Sequence, residues 1–236
     1  MRILLVQARE GRWITEWDKK NFARSLGKEH KLTKTINLLD GDFDVNDLLG
    51  FDAVIIGGSK YGVYDSVPNA NTLRQFVKKA LVKRIPLLGV CFGAQFIANA
   101  IGGKVILDEK NQEFGTVAVK KTRAGLRSPL LRNLPEKFLA QCSHHDRIIR
   151  LPKNTEVLAK NRKCPIQAFK ISGADIYGVQ FHPERSKKQF TELLEFERQG
   201  LKNLPVKKIM RSKKETRTEK IFQNFIEIAS KKSPFG

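Results

Sequence analysis

The stretch Pro86-Leu87-Leu88-Gly89-Val90-Cys91-Phe92-Gly93-Ala94-Gln95 is a short apolar strand that ends in Gly-x-Cys-x-Gly and passes into an apolar-periodic helix. That is the sequence form of a nucleophile elbow. A residue at the tip of a sharp strand-to-helix turn is pushed out of the sheet, and small residues two positions to either side let the backbone close around it. A thiol at the tip faces the helix N-terminus, where unpaired N–H groups and the helix dipole favour a thiolate. The expectation at Cys91 is therefore a nucleophile of lowered pKa beside the first donor of an oxyanion hole. The competing reading is a structural cysteine packed against a helix. The paired glycines and the preceding strand favour the first.

Working outward, residues 2–7 read as a strand, a helix lies within 16–26, and a second short strand lies near 31–36. A strand at 53–56 reaches Gly57-Gly58, and 71–83 carries Leu73, Phe76, Val77, Ala80 and Leu81 at the spacing of an amphipathic helix. Strand, helix and strand again predict an α/β fold with a doubly wound parallel sheet, whose site lies at the carboxyl ends of the strands. Gly58 and Cys91 both fall at such ends. After an elbow helix at 92–101, Gly102-Gly103 marks a change of character. Short alternating segments at 116–120, 137–141, 156–159, 166–171 and 176–181 predict an antiparallel extension, and 123–136 reads as loop.

The second half of the site is expected in Tyr177-Gly178-Val179-Gln180-Phe181-His182-Pro183-Glu184. On extended backbone, residues two apart share a face, so His182 and Glu184 can point together while Pro183 stiffens the link. Glu184 would orient His182, and His182 would activate Cys91 and shuttle its proton.

These two motifs, in this order and spacing, resemble a class I, triad-type glutamine amidotransferase, and the resemblance runs over nearly all of the chain to about Glu184. It includes Gly57-Gly58-Ser59, Gln95 four residues past the nucleophile, Glu113-Phe114-Gly115 and Ser143-His144-His145-Asp146. Within that family the chain is most similar to the amidotransferase part of GMP synthase and its stand-alone relatives. The resemblance implies a flavodoxin-like three-layer fold and glutamine as substrate. It also implies catalytic Cys91, His182 and Glu184, an oxyanion hole from the backbone N–H groups of Gly58 and Phe92, and a glutamine head group held by Gln95, Ser143 and His144. It implies no cofactor. Neither an ATP-binding Gly-x-x-x-x-Gly-Lys-Ser/Thr loop nor a Ser-Gly-Gly-x-Asp-Ser motif is present, so ammonia would pass to a separate synthetase of the ATP pyrophosphatase type. A stand-alone γ-glutamyl peptidase or hydrolase is the alternative enzyme, and a catalytically idle basic binding module the alternative of another class. A deglycase-type enzyme fits less well, because its nucleophile is followed by His and Phe92 stands here.

Composition sets the remaining bounds. At 236 residues, one domain spanning 1–236 is expected. Cys91, Cys142 and Cys164 are odd in number and lack Cys-x-x-Cys spacing, which suggests neither a disulfide framework nor a zinc site. Adjacent His144 and His145 on extended backbone would face opposite ways, so no metal is expected there. No apolar run has membrane-spanning length, and a cytoplasmic location is expected. The net charge of +20 is spread along the chain without a nucleic-acid motif, and nucleic acid is not expected as a partner. The tail departs from the family pattern. An insertion at about 185–215 separates Glu184 from a last amphipathic helix at 219–230. It carries a predicted helix at 187–198 and a basic stretch with Lys207, Lys208, Arg211, Lys213 and Lys214. From 185 to 236 there are 14 Lys and Arg against 6 Glu, so the segment reads as a solvated basic surface or a docking face for a partner.

Overall fold

A computed structural model describes residues 1–196 and 216–231. The chain alternates β1 (Ile3–Ala8), α1 (Arg12–Ser25), β2 (Leu32–Asn37), a short α2 (Asn46–Leu49), β3 (Ala53–Ser59), α3 (Ala70–Lys83), β4 (Leu87–Val90) and α4 (Phe92–Ala100). Strands follow: β5 (Lys104–Leu107), β6 (Glu113–Lys121), then α5 (Arg123–Arg127), β7 (Lys137–His144), β8 (Asp146–Arg150), β9 (Thr155–Lys160), β10 (Ala168–Ile171) and β11 (Ile176–Val179). The described helices end with α6 (Lys187–Phe196) and α7 (Lys220–Ser230).

One nine-stranded sheet has the order β2-β1-β3-β4-β11-β10-β9-β6-β7. From β2 to β11 the neighbours are parallel, and from β11 to β7 they are antiparallel. This is the α/β sheet with an antiparallel extension expected from the sequence. β1 shows why three layers form: Leu4 and Val6 join one core with Leu73, Phe76 and Ile97, whereas Ile3 and Leu5 join the other with Phe22, Phe222 and Phe225. A strand covered on both faces reads as a continuous apolar run rather than an alternating one.

Three sequence expectations change. The interval 123–136 is not a plain loop: Thr122 accepts a hydrogen bond from the Gly125 N–H at 3.0 Å and caps α5, and a 3-10 turn follows at Pro129–Leu131. Gly125 and Pro129 masked that short helix in the sequence. β5, for which no strand was expected, pairs antiparallel with β8 in a separate two-stranded sheet. α1 begins four residues before the expected 16, after Gly11 at φ 97°. Of the tail insertion, α6 is described and buries Phe190, Leu193 and Leu194. Trp17 Nε1 donates to Glu192 at 3.2 Å, and Trp13 stacks on Phe196 at 4.1 Å, so α6 packs on α1. Lys207, Lys208, Arg211, Lys213 and Lys214 lie outside the described residues.

Candidate active site

The elbow between β4 and α4 is closed by backbone contacts that only glycine permits. A Cβ on Gly93 would strike the carbonyl of Ile56 in β3, and one on Gly89 would strike the backbone of Gly93. Cys91 itself takes φ 52° and ψ −106°, a conformation that is costly for a residue with a Cβ and recurs at functional sites. Its N–H donates to the Val179 carbonyl at 2.8 Å, which ties the elbow to the end of β11.

Beyond Val179 the chain leaves the sheet. His182 and Glu184 therefore lie on a turn, not on the extended strand that the sequence suggested. The Arg185 N–H donates to the His182 carbonyl at 3.3 Å, while the His182 N–H donates to Gln141 of β7 at 2.8 Å. The turn still brings the two side chains together: His182 Nδ1 lies 2.7 Å from Glu184 Oε1, with both residues buried. Gly58 leaves room for this arrangement, because a Cβ there would lie 3.0 Å from His182 Cε1, 3.1 Å from Arg9 Nη2 and 3.7 Å from Cys91 Cβ.

The Cys91 thiol is not the low-pKa group expected from the elbow alone. Burial pushes it up to about 12, against the pull of the Arg185 and Arg9 guanidinium groups and the N–H of Phe92. The thiol donates to the Ser143 carbonyl at 3.8 Å, and Gln180 Nε2 donates to the sulfur at 3.7 Å. Burial also lowers the pKa of His182, with Arg185 acting in the same direction and Glu184 against it. Both shifts favour the uncharged forms, a thiol and a neutral imidazole.

A cavity of about 630 Å³ opens onto this pair. Cys91, Gln95, Ser143, His144 and His182 all line it. Glu184 lies behind His182, Gly58 adjoins Cys91 and His182 from β3, and Phe92 follows Cys91 at the start of α4. Gln95 is buried rather than on a helix surface, and its Nε2 donates to the Asp146 carbonyl at 3.1 Å and to Gln180 Oε1 at 3.2 Å. His144 is buried and His145 exposed, as alternation predicts. His144 donates through Nδ1 to the Asp146 carbonyl at 2.9 Å, and its Nε2 lies 3.3 Å from Glu113 Oε2.

Glu113, His144 and Cys164 place ligand-type atoms within 4.8 Å of one another. Protein groups engage two of the three: Asn161 and Gln167 donate to the two Glu113 oxygens at 2.7 and 2.6 Å, and the Cys164 thiol donates to the Ile166 carbonyl at 3.4 Å, whereas His144 Nε2 has no hydrogen-bond partner among the described residues. The cluster lies at the end of β7 that carries Ser143, where His144 pairs with Glu113 of β6.

Sequence reading missed Arg9, Asp18, Gln180 and Arg185. Arg9 Nε pairs with Asp18 Oδ2 at 2.9 Å, Arg185 Nη2 with Asp18 Oδ1 at 3.3 Å, and Arg185 Nε with Glu184 Oε1 at 3.2 Å. A signal existed for each arginine, since Arg9 follows the carboxyl end of β1 and Arg185 follows Glu184 directly. Asp18 is a polar residue among the buried positions Ile14, Asn21, Phe22 and Ser25 of α1.

Comparison with known proteins bears on the family and the fold. The family model for glutamine amidotransferase class-I matches residues 19–198. A glutamine-hydrolyzing GMP synthase of Porphyromonas gingivalis is 39% identical over 141 residues, 58% of this chain and 26% of that protein. A separate subunit of the glutamine-hydrolyzing GMP synthase of Pyrococcus abyssi is 32% identical over 161 residues, 68% of this chain and 79% of that one. The chain thus matches only about a quarter of the longer relative's length. A solved glutamine amidotransferase of Thermotoga maritima, 19% identical, shares the fold with a TM-score of 0.80 over 97% of this chain and 98% of its own.

Proposed function

The chain belongs to the class-I glutamine amidotransferase family, and from that premise we propose that it hydrolyses glutamine to glutamate and ammonia through a γ-glutamyl thioester on Cys91. The observation that carries this reading is the His182–Glu184 pair, 2.7 Å apart, in one site with a cysteine at a positive-φ elbow. With the thiol protonated and the imidazole neutral, His182 removes the thiol proton as sulfur attacks the side-chain amide carbon. The N–H groups of Gly58 and Phe92 receive the oxyanion. His182 then returns the proton to departing ammonia, activates the water that cleaves the thioester, and is held in orientation by Glu184. Gln95, Ser143 and His144 border the space left for the glutamine head group. Asp146 and Gln180, which hold the Gln95 amide, keep that wall rigid.

Ammonia passes, in this reading, to a separate synthetase of the ATP pyrophosphatase type, as the relatives named as individual GMP synthase subunits suggest. The whole chain acts as one amidotransferase domain in the cytoplasm, where its three free thiols suit a reducing environment. No described helix is long and apolar enough to cross a membrane.

The test is direct. The purified chain with radiolabelled glutamine should release ammonia, and acid quenching should trap label on protein. Cys91→Ala should abolish both, whereas Cys142→Ala and Cys164→Ala should retain them. Label retained in the Cys91 variant would reject the assignment. One observation favours a second reading as a γ-glutamyl peptidase: Leu193 and Phe196 of α6 add an apolar wall to the cavity, a surface that an apolar residue beyond the γ-glutamyl group could cover. Comparing kcat/KM for glutamine and γ-glutamyl-phenylalanine separates the two.

A further inference from the structure

Behind His182 a buried chain of charge runs His182–Glu184–Arg185–Asp18–Arg9, linking the turn after β11 to α1 and to the end of β1. Arg9, Asp18, Glu184 and Arg185 are all at most 7% exposed. Ionised groups taken out of water at this depth are costly unless opposed by partners, and here two cations face two anions. The sharing within the chain is uneven. Glu184 Oε1 is approached by both His182 Nδ1 and Arg185 Nε, at 2.7 and 3.2 Å, whereas Glu184 Oε2 has no hydrogen-bond partner among the described residues. The imidazole thus holds the Glu184 carboxylate through one oxygen by a hydrogen bond, while the guanidinium meets the same oxygen as a charge contact, its Nε having no hydrogen-bond partner among the described residues. That guanidinium is itself held: Asp18 takes its Nη2, and the Trp17 ring lies 5.6 Å from its carbon. α1, which contains neither a catalytic candidate nor a candidate glutamine contact, reaches the site through these two residues.

We propose that Arg185, anchored by Asp18 on α1, is a positioning residue for the His182–Glu184 pair: it holds the Glu184 carboxylate in place and balances its negative charge, so that His182 rests as a neutral base. A carboxylate beside an imidazole ordinarily stabilises the imidazolium. An uncompensated Glu184 would favour protonated His182, which cannot accept the thiol proton. Among the described residues, the charged and titratable groups around His182 are Glu184 and Arg185 of its own turn, Asp18 of α1, Arg9 after β1 and Cys91 of the elbow. The lowered pKa of His182, to which burial contributes most and Arg185 next, is consistent with this balance.

The inference rests on the amidotransferase reading for its catalytic consequence but not for its electrostatic one, and the experiment reads the two separately. In the full chain, the histidine ring signals are titrated by NMR, with His182 assigned by its loss in His182→Ala. Arg185→Gln removes the charge at similar length, and Arg185→Lys keeps the charge but loses the planar fork. In Arg185→Gln the His182 midpoint should rise by about one unit or more. The acid limb of kcat/KM for glutamine should rise with it, so that activity falls roughly tenfold more at the acid end of the profile than on its plateau. In Arg185→Lys the limb should stay near its original place, while kcat falls several-fold and the KM for glutamine changes little.

An unmoved His182 midpoint in Arg185→Gln, with activity lowered equally at every pH, would overturn the proposal and leave Arg185 a packing residue. Should Arg185→Gln fail to fold, the lysine variant decides: an unchanged kcat overturns the proposal, and a fall in kcat at constant KM supports it. Absence of glutamine turnover by the unmodified chain would reject the amidotransferase reading instead, with the His182 titration still deciding the role of Arg185.

Discussion

At the scale of single residues, the site sets two groups against their solution behaviour. Cys91 is pushed up to about 12 and His182 is held below the usual imidazole value, both chiefly by burial. An unfolded chain binds a proton on His182 below about pH 6.5, where the folded chain does not until its lower pKa is reached. The folded state therefore binds fewer protons in that window, and stability is lost as pH falls below the unfolded value. Thermal melting should show a midpoint that drops from pH 7.5 to 5.5, with His182 contributing up to about 1.4 kcal/mol per pH unit; His182→Gln should flatten part of that slope. Gly58 yields a second expectation. A Cβ there would lie 3.0 Å from His182 Cε1 and 3.1 Å from Arg9 Nη2. Gly58→Ala should displace the imidazole and lower kcat for glutamine by roughly 10²-fold or more, if its N–H is also an oxyanion donor. Equal turnover in Gly58→Ala and the unmodified chain would remove Gly58 from the site.

At the scale of elements, the elbow works because α4 lies directly on β3. Gly93 has no space for even one methyl group, since the obstacle is the backbone carbonyl of Ile56 and not a movable side chain. Gly93→Ala must push α4 outward. It should cost about 1–3 kcal/mol in urea unfolding and reduce Cys91 labelling by a glutamine-analogue chloroketone, because the thiol travels with the helix. A change in neither would mean that the elbow tolerates displacement. The periodicity of α3 predicted most of its buried face, with Leu73, Phe76, Val77 and Ala80 buried and Leu81 half-buried, and the amphipathic helix expected at 219–230 is α7, which buries Ile221, Phe222, Phe225, Ile226 and Ala229. α5 and β5 were not legible. Each is too short for a period to show, and each is held by a partner distant in sequence, Leu158 for the start of α5 and β8 for β5.

At the scale of the whole molecule, the sheet order carries the function. β11 pairs parallel with β4, so the turn after β11 emerges beside the elbow although about ninety residues separate them. The antiparallel strands β10, β9, β6 and β7 extend the same sheet, and β7 delivers Ser143 and His144 to the cavity wall. The net charge of +20 is a property at this scale too. If the basic tail docks an acidic synthetase, replacing Lys207, Lys208, Lys213 and Lys214 with Glu should weaken partner-stimulated glutaminase activity more than basal activity and flatten its salt dependence. An unchanged stimulation curve across salt concentrations would show that docking lies elsewhere.

The amino-acid sequence by itself determined the elbow and the alternation of strands and helices, because each is a local pattern, small residues around a nucleophile or a helical or strand period; it named His182 and Glu184 as partners, but the turn that joins them, in place of the expected extended strand, came from the tertiary structure. Tertiary structure alone decided the protonation of the site and its support. The height of the Cys91 pKa depends on how deeply the thiol is buried, and that burial comes from elements far apart in the chain. The pairing of Arg9 and Arg185 through Asp18 joins the end of β1, α1 and the turn after β11. A single buried charge has no sequence period, and its partner is chosen only when the sheet and helices close around it.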